Sequence, residues 1–127
     1  AHSSTVQYKT NCLLVFADPM FDRVIYNLIE NSFRHGKDVS RITCEVRIDD
    51  SVAILTYSDD GSGVPEADKE KIFASGYGKN TGLGLFLTRE ILSLTGVEIR
   101  EIGTEWIGAC FEMRIPPGKW RFDGACL

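Results

Sequence analysis

Three short segments hold residues whose types and spacing could do chemistry. In YNLIENSFRHG, Asn27, Asn31 and Arg34 are spaced i, i+4, i+7. On a helix they fall within about 60° of one another. Asparagine is a poor helix former, so two in consecutive turns are an unusual choice for a surface. An amide oxygen is a neutral hard ligand suited to Mg2+, and an arginine one turn further on can meet a phosphate. The bland alternative is a solvated polar face.

In SDDGSGVP, Asp59 closes a run of β-type residues. Gly61 and Gly63 let the backbone turn sharply and let a flat ligand approach it. A carboxylate here can accept a hydrogen bond from the exocyclic amine of adenine, whereas guanine presents a carbonyl oxygen at that edge. A lone D-x-G-x-G is otherwise a plain turn. In GKNTGLGLFLTREIL, Gly82 and Gly84 precede or open a helix, where free backbone N–H groups and the dipole attract anions. Glycine in a first helical turn costs about 1 kcal/mol relative to alanine, so a phosphate lying against the backbone is a reason for it. The segment is not the G-x-x-x-x-G-K-S/T phosphate loop, because no Lys-Ser or Lys-Thr pair follows.

The elements that must position these residues follow from periodicity. CLLVFAD (Cys12 to Asp18) reads as a short buried strand. Asp18-Pro19 opens a helix with Phe21, Val24, Ile25, Leu28, Ile29 and Phe33 on its apolar side and the polar stripe opposite, and Gly36 ends it. RITCEVRID alternates as a half-buried strand. Asp49-Asp50-Ser51 turns the chain into a second strand, VAILTYSD, as a hairpin. PEADKEKIF suggests a short helix opening at Pro65, and ASGYGKNTG a flexible loop. Leu83 to Thr95 is a helix closed by Gly96 in a left-handed cap. VEIREIG and IGACFEMRIP form a last hairpin, with Ile107, Ala109, Phe111, Met113 and Ile115 on one face. The expected class is α+β, a two-layer sandwich of a mixed sheet covered by three helices. Residues 1–10 read as a linker remnant, 11–117 as one domain and 118–127 as a tail.

Composition bounds the function. The 127 residues are 43% hydrophobic and 25% charged, as in a folded globular chain. A net charge of -4 argues against a nucleic-acid or anionic membrane surface. The cysteines form no CxxC pair and only His2 and His35 accompany them, which disfavours zinc. Cys12, Cys44, Cys110 and Cys126 read as free thiols of a reducing cytoplasm. No apolar run reaches the length of a membrane span, which leaves room for a membrane-anchored parent protein.

Taken together and in this order, the motifs resemble the ATP-binding catalytic domain of sensor histidine kinases. That domain belongs to the GHKL, or Bergerat-fold, superfamily, which also holds DNA gyrase, the MutL repair proteins and the heat-shock-90 chaperones. NLIENSFRHG is similar to the asparagine box, DDGSGV to the first glycine box, KIF to the phenylalanine box and TGLGLFL to the second glycine box. The resemblance covers about Val15 to Pro116.

It implies Mg2+ at Asn31, and Asn27 and Arg34 on the phosphates or the water shell of the metal. It implies Asp59 on the adenine amine, a pocket shaped by Gly61 and Gly63, and apolar walls from Val64, Ile72 and Leu85. His35 stacks on the base or merely caps its helix. Thr81, Gly82, Leu83 and Gly84 belong to the second glycine box, facing the nucleotide. The 74–81 lid departs from the pattern. Tyr77 stands where a second phenylalanine is usual, Asn80 replaces a glycine, and Lys79 is a phosphate ligand or an ordinary exposed lysine.

The ATP-hydrolysing relatives carry glutamate where this chain has Asn27, so slow hydrolysis is implied, with transfer to a protein histidine. Glu30 is expected to be a helix-surface charge. The implied partners are a histidine-bearing dimerisation domain of the parent kinase and, downstream, a response regulator. A hydrolysing conformational switch and a nucleotide-binding pseudo-kinase are the rival readings.

Overall fold

In the computed structural model of this chain, residues 13–17, 19–77 and 84–122 are described in full and 5–9 as backbone. The elements are β1 (Thr5–Lys9), β2 (Leu13–Val15), α1 (Phe21–His35), β3 (Arg41–Asp49), β4 (Val52–Asp59), α2 (Gly84–Ser93), β5 (Glu98–Glu101), β6 (Cys110–Ile115) and β7 (Trp120–Phe122). The main sheet runs β1-β3-β4-β6-β5, with β1 parallel to β3 and every other pairing antiparallel. It is a mixed sheet under a helical layer, the α+β sandwich expected. Where a third helix is expected, two 3-10 turns, Glu66–Asp68 and Lys71–Phe73, follow Pro65.

Local chemistry explains the joints. Asp50 and Ser51 both take positive φ (49° and 71°), the left-handed pair that matches the twist of a two-residue hairpin. Gly96 caps α2 with φ 79°, as its position predicts. Between the layers, Val24 and Leu28 of α1 meet Ile42, Tyr57, Phe111 and Met113 of the sheet. Phe73 stands edge-on to Phe111 at 6.2 Å between ring centroids. Phe111 is fully buried at the centre of this core. Phe111→Ala should therefore destabilise the fold by about 3–5 kcal/mol, read as a lowered urea midpoint.

Buried charges pin the layers. Glu101 is 4% exposed yet accepts from Lys69 Nζ, Gly103 N and Cys110 N, tying the 3-10 segment to the β5–β6 loop. On the other face of the sheet, Glu112 is held by Arg47, Arg100 and Arg114. Neither carboxylate lacks partners, as burial requires.

Several expectations are corrected. Within residues 1–10, expected to be linker, Thr5–Lys9 forms β1 of the main sheet, and within 118–127, expected to be a tail, Trp120–Phe122 forms β7, which pairs with β2. The Cys12 to Asp18 strand is shorter and less buried than expected: it spans Leu13–Val15, with Leu14 and Phe16 exposed. Ile107 is 72% exposed because it lies in the loop before β6. Phe33 is exposed as well, and the line buried on α1 is Val24, Leu28 and Ser32. Among the described residues Cys44 and Cys110 are free thiols, and burial raises the pKa of both. No helix among the described residues is long and apolar enough to cross a membrane.

Candidate functional site

A groove of about 700 Å3 runs along α1, bounded opposite by the turn at residues 63–65, the 3-10 segment and the start of α2. This is the size range of small-molecule sites. Asn27, Asn31 and Arg34 line it from α1, with His35 at the helix end. Gly63, Val64, Ile72, Tyr77, Gly84 and Leu85 line it from the far side. Lys79, Thr81, Gly82 and Leu83 lie outside the described residues.

The polar stripe of α1 does not lie opposite the buried line, as its periodicity suggested. It flanks that line, because the groove opens at the side of the helix. Asn27 is fixed there by α2. Its Nδ2 donates to the Gly84 carbonyl at 3.1 Å and to Thr88 Oγ1 at 3.3 Å. Thr88 spends its own hydrogen on the same carbonyl, at 2.9 Å, so it can only accept from Asn27. This sets the amide orientation and leaves Oδ1 of Asn27 as the acceptor. Asn31 makes no side-chain hydrogen bond among the described residues and is half-buried on the groove wall. Arg34 pairs with Glu30 at 2.6 Å, so Glu30 is no idle surface charge but lines the groove and steers the guanidinium.

Asp59 and Gly61, expected to shape the pocket, are not among the residues that line this groove. Oδ1 of Asp59 accepts from the N–H groups of Gly61 and Ala109, each at 3.0 Å, and Oδ2 from Ser32 Oγ at 2.7 Å. The glycines have reasons the sequence did not show. A Cβ on Gly61 would lie 2.3 Å from the Gly36 carbonyl oxygen, so Gly61 lets β4 close on the end of α1. Gly63 has φ +73°, and a Cβ there would meet the Thr104 oxygen at 2.7 Å. A Cβ on Gly84 would meet nothing within 4 Å, so packing does not account for that glycine.

His35 serves its helix end as well as the groove, since its carbonyl accepts from Ser62 Oγ. The Tyr77 phenol is pushed above its ordinary pKa by burial, then by the charge of Asp68 and a hydrogen bond to it. It therefore stays a neutral hydroxyl at the groove rim.

Residues 18–119 match the family described as histidine kinase-, DNA gyrase B-, and HSP90-like ATPase. The chain belongs to that family. Within it, the relatives are sensor kinases. Histidine kinase P4 of Formosa agariphila is 28% identical over 131 aligned positions, covering 93% of this chain and 10% of its own length. The alginate biosynthesis sensor protein KinB of Pseudomonas aeruginosa is 34% identical over 100 residues, 75% of this chain and 17% of its own. Among solved structures, a nucleotide-free catalytic domain of histidine kinase ThkA superposes with a TM-score of 0.72 at 28% identity. That match covers 90% of this chain and 79% of the other. The chain is an ATP-binding catalytic domain of the histidine kinase type, and spans only a small part of the curated relatives it matches.

Two residues of this histidine kinase-type ATPase domain escaped the sequence reading. Ser32 falls on the i+4 line of Val24 and Leu28, so a polar side chain in the buried phase of α1 was the available signal. Thr88 sits likewise in the buried line of α2.

Proposed function

We propose that this domain binds Mg2+–ATP in the groove and donates the γ-phosphoryl group to a histidine on a separate dimerisation domain of its parent kinase. A response regulator would then take the phosphoryl group onward. One observation carries the reading: the Asn27–Gly84 hydrogen bond joins the polar stripe of α1 to the N-terminus of α2, 57 residues away. It draws together, across one cavity, the amides and guanidinium of α1 and the first-turn N–H groups of α2, the set a triphosphate needs.

The metal chemistry fits. Among the described residues no cluster of three or more His, Cys, Asp or Glu could cage an ion. Mg2+ does not need one, because it takes one or two protein oxygens and completes its shell with phosphates and water. The uncommitted amide of Asn31 would hold it, with Oδ1 of Asn27 accepting from its water. When bound, the ion neutralises charge on the phosphates. Arg34 would be released from Glu30 to contact them.

Hydrolysis is disfavoured at this site. Asn27 cannot take a proton from water, and Glu30 stands three residues further along α1, rotated from it by about 60°. Asp59 would read the adenine amine, with Val64, Ile72 and Leu85 against the ring. His35 would stack on the base, Tyr77 would stand over the lid side, and Lys79 with the Thr81 to Leu83 segment would close on the phosphates.

Calorimetry tests this directly. ATP and ADP should bind well above GTP, and removing Mg2+ should weaken ATP; equal affinity for GTP would refute the role of Asp59. Gly84→Ala separates ligand from fold. The open space around it predicts an unchanged or slightly raised Tm, by helix propensity of about 1 kcal/mol at most. Nucleotide affinity should fall because a methyl group would stand where a phosphate meets the backbone. Retained affinity would remove the phosphate from that helix end.

A further inference from the structure

We infer that Ser32 is a positioning residue for base recognition: with Tyr57 it forms a directed hydrogen-bond chain that leaves Asp59 one free acceptor site. The inference rests on the reading that Asp59 meets the base. Tyr57 OH lies 2.8 Å from Ser32 Oγ, and Ser32 Oγ lies 2.7 Å from Oδ2 of Asp59. Ser32 and Tyr57 are each 1% exposed, so no solvent competes for these groups.

The direction of the chain follows from counting hydrogens. A carboxylate only accepts, so the single hydroxyl hydrogen of Ser32 goes to Asp59. The hydrogen between Ser32 and Tyr57 must then come from Tyr57. The Leu28 carbonyl, 3.1 Å from the same phenol, takes the weaker share, because the helix already supplies it with the Ser32 N–H. A chain polarised in one direction strengthens each of its bonds.

The consequence lies at Asp59. A carboxylate has about four acceptor sites. Gly61 N and Ala109 N take both on Oδ1, and Ser32 takes one on Oδ2. The remaining site, on Oδ2, is the one left to accept from a donor such as an exocyclic amine. Ser32 thus fixes which lone pair is presented, and Asp59 supplies it. Without the hydroxyl the Oδ2 side can rotate or recruit water, and its geometry toward the base is lost.

The test measures affinity for ATP, and for magnesium tripolyphosphate, which has no base, on the whole chain. Ser32→Ala should weaken ATP about tenfold, the loss expected of one hydrogen bond to a charged group. Tripolyphosphate affinity should not move. Tyr57→Phe keeps the ring against Phe111 and should weaken ATP by a smaller factor. The double variant should match Ser32→Ala alone, because both act through one chain. Equal losses for ATP and tripolyphosphate would reduce Ser32 to a packing residue and overturn the inference. Unchanged ATP affinity in Ser32→Ala, with a loss in Asp59→Asn, would overturn it while leaving the Asp59 reading standing. Unchanged affinity in both variants would remove that reading and the inference with it.

Discussion

Asp59→Asn should weaken ATP binding by about 10- to 150-fold while leaving the fold intact, the range for losing a charge-assisted hydrogen bond. The geometry says why the two effects separate. An asparagine can keep its carbonyl oxygen on the Gly61 and Ala109 N–H groups that Oδ1 holds now. Its amide nitrogen then replaces Oδ2 and faces Ser32, whose hydroxyl can turn and accept. Nothing buried is left without a partner, so the fold should stay within about 1 kcal/mol of its present stability. Toward the base, however, a donor now stands where an acceptor stood, and it opposes an amine. The same change should relax discrimination against GTP, since an amide N–H tolerates a carbonyl oxygen. Calorimetry with both nucleotides checks it, alongside a urea midpoint. A large stability loss with an unchanged ATP-to-GTP ratio would make Asp59 a structural residue.

How much of this was legible beforehand depends on which distances matter. The α1 stripe, the two glycine segments and the α2 cap are set by residues within a turn or two of one another, and all were readable. The contacts that give them meaning are not local. Asn27 meets Gly84 and Thr88, and Lys69 meets Glu101 across 32 residues. No periodicity within either segment announces such a partner.

Glu101 shows a signal that was present and passed over. In Val97, Ile99, Glu101 the alternation puts a carboxylate in the buried phase of a strand. A charge there implies a partner elsewhere. Gly61 shows the opposite case, since a flexible turn and a tight backbone crossing both call for glycine. Only the position of Gly36 decides between them. The ends were misread for a related reason. A polar strand such as TVQYK has no pattern of its own, and β1 exists because β3 offers it an edge.

Incubated with labelled ATP, this chain alone should remain unlabelled. Phosphoryl transfer needs an acceptor in line with the γ-phosphorus, and charge stabilisation cannot replace a missing nucleophile. The histidine within the described residues is His35, which sits at the end of α1 as part of the groove itself. Its carbonyl is engaged by Ser62, which ties that helix end to the β4 turn. If the ring meets the base as proposed, it would lie on the donor side, at the opposite end of the nucleotide from the γ-phosphate. His2 lies outside the described residues, in a leader with no pattern to place it.

Adding the parent's histidine-bearing helical domain should produce a label that is acid-labile and base-stable, and on the added piece alone. Asn31→Ala should abolish it, because the uncommitted amide proposed to hold the metal is lost. The magnitude is all or none at the level of transfer, whereas ATP binding should fall only in part, since Asp59 and the apolar walls remain. Label on this chain by itself, at His35 or His2, would refute the division between donor and acceptor domains. Transfer that survives Asn31→Ala would move the metal to another ligand.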